Sequence, residues 1–522
     1  MNGRLLALVA LVAFIGIAGI ALACSDDSSA DPDYNIYDSS KMNVLGTYTY
    51  VGTKLTLVAN GSGYDATAIA INFVGDPEDV TEIQVEYFRN DLPTFFTLFD
   101  NAASIHYDGT IHGGNASWTY DRAAHTLVLN KVGASTALEN ASSPTGGAFY
   151  PFNILKNDSN LVLTVNTFRS GGAYLFNGFN MLSCNFPDYT EPHNNLLYGA
   201  TVVNASFGSL TSVSVNSPFN TWNGNPNLMS TLQTVTMPNL LSIGNNTFTG
   251  FTALTTLNVG SVTTVGNNAF KGCNGLVNVS LPALTAIGSN AFDGCEHLET
   301  ISFGNGANIG ASAFAGCVRL TTISSEKVGI IQYSAFNGCA ALYRSFDNPD
   351  SLVFTVLETT SSYNGYTESS DYSPFKDCSA MSIVEMPAIT TLGSYTFYGC
   401  TGLTSVIIGN SLATITVDAF NGCTHLSSVT LGSSVSEIRS GAFSGCSSLT
   451  GIDFPDSLIT VGPSAFSSSG LTELDTNKIE TIGNMAFSAC GSLNTVFFGE
   501  DLVSIGDRAF YGSTKKSLRM ED

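Results

Sequence analysis

Nine of the eleven cysteines recur at nearly one interval: Cys273, Cys295, Cys317, Cys339, Cys378, Cys400, Cys423, Cys446 and Cys490. Each stands three residues after a Phe, as in "AIGSNAFDGCEHLETISF" at 286–303. Thiols repeated in register could ligate a metal, join in disulfides or fill buried space. Residues at equivalent places on stacked strands lie about 4.8 Å apart with parallel side-chain vectors. A disulfide needs Cβ atoms about 3.8 Å apart and pointing at each other. A tetrahedral zinc site needs converging ligands, which a straight column does not supply. Phe251, Ser469 and Ser513 occupy the same place in other copies. A Phe can hold neither a metal nor a bridge. The thiols, and Cys184 off the period, are therefore expected as buried, small, apolar residues, with no metal and no cofactor.

The remaining candidates for chemistry are few. His106, His112 and His125 could ligate a metal, but Asp108-Gly109 is where a tight hairpin turn would separate the first two. Surface histidines are the expectation. No Gly-x-Ser-x-Gly elbow, His-Glu-x-x-His, Walker phosphate loop or EF-hand loop occurs. No catalytic residue is assigned, and the chain is not expected to be an enzyme. Its net charge of −23, with 12% charged residues, repels phosphate backbones, so nucleic-acid binding is set aside.

The elements that carry these residues change along the chain. Residues 1–24 hold one basic residue, Arg4, then an apolar run from Leu5 to Ala23 and Cys24. This is the layout of an export signal. Ala21-Leu22-Ala23-Cys24 resembles a lipobox, which implies lipidation at Cys24. Plain cleavage before Cys24 and an uncleaved anchor are the alternatives. Residues 25–43 are acidic and serine-rich, as in a flexible tether.

From 44 to 190 apolar residues alternate at strand length, for example in "KLTLVA" (54–59) and "NLVLTVNTF" (160–168). Asn177-Gly178 is a second expected hairpin turn. An all-β, sandwich-like domain is expected here.

From 191 to 522 repeats take over. The repeated Phe falls at 248, 270, 292, 314, 336, 375, 397, 420, 443, 466, 487 and 510, at intervals of 21 to 23 residues apart from one. A second landmark, Leu-x-x-(Val/Ile/Leu)-x-apolar, keeps the same period in "LVNVSL" at 276, "LETISF" at 298 and "LSSVTL" at 426. Two landmarks on one period describe a solenoid: a short parallel strand on one face of each coil, with turns and short helical or 3-10 segments on the other. Within a coil, Ser289 is expected to cap one helical turn through Ala291-Phe292, and Gly294 to close it.

The arrangement resembles the BspA-like, or Treponema-type, leucine-rich repeats, with their Leu-x-x-Ile-Gly-x-x-Ala-Phe-x-x-Cys pattern, over about twelve copies. The resemblance implies a cell-surface protein, adhesin-like, that uses the array to bind host or microbial proteins. On the strand face the outward residues are Asn258, Ser280, Thr300, Ser302, Ser324, Glu385, Ile407, Thr430, Asp453, Asp475 and Phe497. They are the expected ligand-binding surface. The one long interval, from Phe336 to Phe375, holds an insertion near 347–373 with Tyr363, Tyr366 and Tyr372, a second candidate contact. A monomer, held to a membrane at its N-terminus or else secreted, is the expected state. The alternative function is glycan binding or processing, with Trp118, Tyr107 and Tyr120 of the β domain as stacking aromatics.

Overall fold

The computed structural model describes residues 116–121, 123–138, 155, 158–171, 174–192, 195–213, 219, 226–304, 306–325, 328–342 and 373–513. It also gives the backbone of strands at 33–37, 44–51, 54–59, 69–76, 79–85, 104–110, 344–345, 352–353, 359–360 and 517–520. The chain divides into two units, residues 1–210 with 216–238, and residues 211–215 with 239–522. The expected export signal, Cys24 and the three tyrosines of the insertion lie outside the described residues.

The described residues of the first unit are mostly β-strand, with one short helix, Pro226–Thr231. Asp33–Tyr37, Val44–Val51, Lys54–Ala59, Ile69–Asp76 and Asp79–Val85 follow one another as an antiparallel meander. Its first strand falls in the stretch expected as a flexible tether; there Tyr34 and Ile36 alternate with Asp33 and Asn35, which is strand patterning. Asp79–Val85 then pairs in parallel with Ser104–Thr110.

No turn forms at Asp108-Gly109. The strand runs through it, with Asp108 opposite Thr119 and Gly109 opposite Trp118. Cross-strand pairing with Ala116–Asp121 outweighs the local turn preference at this position. From Thr126 onward the pairing becomes parallel, through Thr126–Lys131, Leu161–Asn166, Asn180–Phe186, Thr201–Phe207 and Thr234–Met237. Coils thus begin within the stretch that reads as plain alternation. Asn177-Gly178 does turn, with Gly178 at φ 75°, but it is the corner of a coil between parallel strands rather than a hairpin.

The second unit is a parallel β-solenoid. One coil shows the logic: Leu276, Val279, Leu281, Leu284, Ile287, Ala291, Phe292 and Cys295 are all 0–4% exposed. Val279 and Leu281 come from the strand Asn278–Leu281, which alternates exposed and buried residues. Ile287 comes from the short strand Ala286–Ile287 of a second parallel sheet. Neither sheet could bury its inner face without a neighbouring coil, so stability comes from stacking.

The expected helical turn at Ala291-Phe292 does not form. Asn290 adopts φ 54°, in the left-handed region, and so do its equivalents Asn246, Asn268, Ser312, Ser334, Tyr395, Asp418, Ser464, Met485 and Arg508 at 52–58°. The reason is hydrogen bonding. With Asn290 and Gly294 left-handed, the N–H groups of Asn290, Phe292 and Gly294 donate to the carbonyls of Ala311, Ala313 and Ala315 on the next coil, at 2.7–2.8 Å. A helical turn would leave these N–H groups unpaired, since the first N–H groups of a helix have no partner within it. Asn and Asp bear left-handed backbone more readily than most residues, which accounts for Asn246, Asn268, Asn290 and Asp418 at this place.

Inside the turn, the twelve phenylalanines from Phe248 to Phe510 form one uninterrupted stack. Successive ring centroids are 5.1–5.4 Å apart and the planes lie within 4–12° of parallel. The long interval does not disturb it: Phe336 and Phe375 are 5.2 Å apart. Nine residues separate Thr322 from Ile331, but fifteen separate their partners Arg344 and Thr359. Five residues separate Ile331 from Phe336, but sixteen separate Thr359 from Phe375. The extra chain is therefore spliced in on both sides of the strand Thr359–Thr360, and the ring returns in register.

Candidate binding surface

Alternation on the strand layer sends every second side chain outward, and parallel pairing aligns these side chains across coils. Ser280, Ser302 and Ser324 are mutual partners, as are Glu385, Ile407 and Thr430, and then Asp475 and Phe497. Asn258, Ser280, Ile407, Thr430, Asp453 and Asp475 are exposed; Thr300, Ser302, Ser324, Glu385 and Phe497 are half-buried. Asp453 lies on a segment, 451–455, that does not pair as a strand.

The columns are internally bonded at their uncharged end. Ser302 Oγ donates to Ser280 Oγ at 2.8 Å, and Thr300 Oγ1 donates to Asn278 Oδ1 at 2.5 Å. Toward the C-terminal coils hydroxyls give way to carboxylates and apolar groups. Ile407 is 40% exposed between Glu385 and Thr430. A second column, Asn278 and Thr300 with the buried Thr322 after them, then Ser405 and Ser428, then Glu473 and Thr495, runs beside the first. Of these only Thr300 stands out in the sequence reading. The signal was available, since the second column precedes the first by two residues in every strand.

The cysteine column is buried as expected; Cys184 and the nine repeat cysteines are all free and buried. Filling space is only part of its role. Each repeat thiol donates to the carbonyl of the Phe one coil back: Cys273 to Phe248 at 2.9 Å, Cys317 to Phe292 at 3.1 Å, Cys446 to Phe420 at 3.3 Å. Cys378 does the same to Phe336 across the insertion, at 3.2 Å. Ser513 reproduces the bond with its hydroxyl, to Phe487 at 2.6 Å. Burial pushes the thiols upward, Cys295 and Cys446 to about 12. A protonated thiol is the form that can donate, so burial and hydrogen bonding favour the same state.

Of the three histidines, His125 is the one whose side chain is described. Its Nδ1 lies 2.8 Å from Asp158 Oδ2, and the Tyr120 hydroxyl donates to that same oxygen at 3.0 Å. The carboxylate ties a strand, a turn and the loop before Leu161 together. Among the described residues no group of three or more His, Cys, Asp or Glu side chains is placed to hold a metal ion. Trp118 and Tyr120 are each 2% exposed and belong to the core, which removes them as carbohydrate-stacking aromatics.

Several solved structures align with this chain. A leucine-rich repeat protein from Bacteroides ovatus aligns at 20% identity over 76% of this chain and 91% of its own, with a TM-score of 0.40. A leucine rich cell surface protein from Faecalibacterium prausnitzii aligns at 17% identity over 74% and 93%, with a TM-score of 0.28. The pneumococcal vaccine antigen PcpA aligns at 14% identity over 82% and 85%, with a TM-score of 0.27. No curated protein matches the chain in sequence. The model of the BspA type leucine rich repeat region matches six copies, over residues 227–343, 367–478 and 473–522. Those segments make up more than half of the chain, and their coils carry the stacked rings, the thiol column and the aligned strand face: the chain belongs to the BspA type leucine-rich repeat family.

Proposed function

We propose that the protein is an adhesin-like surface protein that binds extracellular proteins through the strand face of its repeat array. The observation that carries this reading is the pair of outward columns, held in register by parallel pairing. They place exposed Ile407 among Glu385, Thr430 and Ser405, on a rigid support whose inner residues are buried. An apolar side chain ringed by polar ones on a rigid sheet suits a protein partner, where a few desolvated anchors supply most of the affinity. Tyr363, Tyr366 and Tyr372 of the insertion would be a second contact. Residues 1–24 would export the chain, and acylation at Cys24 would hold it at a membrane surface. Among the described residues no helix is long and apolar enough to cross a membrane.

The test is binding of the full chain to arrayed extracellular-matrix proteins and glycans. Ile407→Asp and Thr430→Arg should each lower protein binding at least tenfold while leaving the melting midpoint unchanged. Binding to glycans alone, or protein binding that neither substitution alters, refutes the reading.

A further inference from the structure

In the coils that carry 426–431 and 449–454 the inner side chains of the strand layer come partly into contact with solvent. Val429, Leu431, Ile452 and Phe454 are half-buried. Val384, Val406 and Leu474 at the place of Val429, and Met386 and Ile408 at the place of Leu431, are 0–2% exposed. The strand Ser428–Thr430 ends its sheet here, and Glu473–Asp475 begins the next. Residues 451–455 lie between them without pairing, and the N–H groups of Gly451, Ile452, Asp453 and Phe454 meet no acceptor among the described residues. The sequence accounts for this. Gly451 stands where Ser428 and Glu473 stand in the neighbouring coils, Pro455 follows closely, and both residue types weaken a strand. A Cβ at Gly451 would meet nothing within 4 Å.

The rest of the coil keeps its spacing. Glu437, Thr460 and Thr481 pair in the second sheet, and the rings of Phe443, Phe466 and Phe487 are 5.2 and 5.4 Å apart. The Thr472 N–H still donates to the Thr450 carbonyl at 3.0 Å. An added strand would need about 4.8 Å of its own beside each neighbour, so the opening admits side chains and not another strand.

We propose that this opening is the docking point of a basic segment of a partner protein, one that sets apolar side chains between lysines or arginines; the proposal rests on the strand face being the binding surface. The apolar anchor enters among Val429, Leu431, Ile452 and Phe454, next to Ile407, which pairs with Thr430 and is 40% exposed. Covering these side chains gives them the burial that their equivalents have. Charge decides what flanks the anchor. Asp453, Asp456, Glu473 and Asp475 are exposed around the opening, and none of the four has an ion-pair partner among the described residues. Between 381 and 475 the one Lys or Arg is Arg439, which bonds Glu437 on the second sheet at 3.0 Å. Lys478, the next along the chain, is bonded to Asp501 at 2.7 Å. A lysine or arginine beside the anchor therefore meets a carboxylate, whereas an acidic segment is repelled. Leu257 and Val259 are half-buried in the same way, but there Asn258 and Ser280 stand beside them instead of carboxylates.

The probe is a fluorescently labelled synthetic peptide, Gly-Lys-Leu-Lys-Phe-Lys-Gly, titrated with the full chain in nonionic detergent and read by anisotropy. Saturable binding is expected, at least tenfold weaker when Ser replaces Leu and Phe in the peptide, and absent when Glu replaces Lys. Asp453→Asn plus Asp475→Asn should weaken it at least tenfold and flatten its salt dependence. Glu296→Gln plus Glu299→Gln, in an earlier coil, should leave it unchanged. All four positions are exposed, so the melting midpoints should match that of the parent. No saturable binding, equal binding of the Ser or Glu peptide, or indifference to the Asp453 and Asp475 substitutions overturns the proposal. Matrix-protein binding that Ile407→Asp weakens and the double Asp substitution does not overturns this assignment and leaves the strand-face reading standing. Matrix-protein binding that neither alters overturns both.

Discussion

If the repeat thiol is a hydrogen-bond donor and not only a filler, substitutions at Cys317 should rank by donor capacity before volume. Cys317 is fully buried and donates to the Phe292 carbonyl at 3.1 Å, while the Cys295 N–H donates to that same carbonyl at 3.1 Å. Cys317→Ala removes one hydrogen bond, about 1 kcal/mol, and buried volume near that of a methylene, about 1 kcal/mol more with the cavity. The total is about 2 kcal/mol. Cys317→Ser keeps the donor and should cost about half as much, as the bond from Ser513 to Phe487 suggests. Cys317→Val fills the space without a donor and overpacks a tight column, so it should cost about 2 kcal/mol or more. The assay is the urea midpoint of the array, read with hydrogen exchange at Phe314, whose N–H bonds the next coil. An order in which Val equals the parent and Ser is the worst would refute the donor role and return the column to plain packing.

Three further outcomes follow from the same coils. Thiols in the unfolded chain lose their protons from their ordinary value of 9.0, whereas Cys295 and Cys446 hold theirs to about 12. Stability is therefore full below pH 9 and falls as pH rises toward 12, by up to about 1.4 kcal/mol per pH unit for each thiol; a melting midpoint that is flat from pH 8.5 to 10.5 would contradict this. Phe314→Ala should cost about 3–5 kcal/mol in urea unfolding, because it empties a slot between two stacked rings. Gly409→Ala would drive its Cβ into the Pro387 carbonyl, whereas at Gly294 nothing lies within 4 Å and only the left-handed φ of 71° resists alanine. Thermal shift should show a much larger loss for Gly409→Ala than the roughly 1 kcal/mol expected of Gly294→Ala.

The period of Phe, Leu and Cys makes the solenoid legible, because each landmark is an inner side chain that has to recur at the coil spacing. What escapes is whatever depends on the coil next door. The acceptor of each thiol lies 24–26 residues back, or 42 across the insertion, and nothing in the local sequence marks a carbonyl as needing a donor. For the same reason Asn290 reads as part of a helical turn: its left-handed backbone is fixed by the Ala311 carbonyl on the following coil. The parallel strands from Thr126 to Phe207 carry no Ala-Phe-x-x-Cys signature, and alternation alone is common to coils and meanders. At Asp108-Gly109 a strong local turn signal loses to a paired neighbour. The strand face is legible position by position, since period two predicts which side chains point out. Its hydrogen bonds between coils, such as Thr300 to Asn278, are not.

The stack that passes unbroken from Phe336 to Phe375 means that a coil is a slot and not a fixed length of chain. Closing a 39-residue loop in place of a 22-residue one costs only about 0.5 kcal/mol in chain entropy. Any segment that leaves and re-enters with its ring in place is nearly free of thermodynamic penalty. An array built this way can acquire new exposed loops one at a time, each in a different coil, without renegotiating its core. It offers a lineage many independent places to vary what the protein displays, and an engineer the same places to graft.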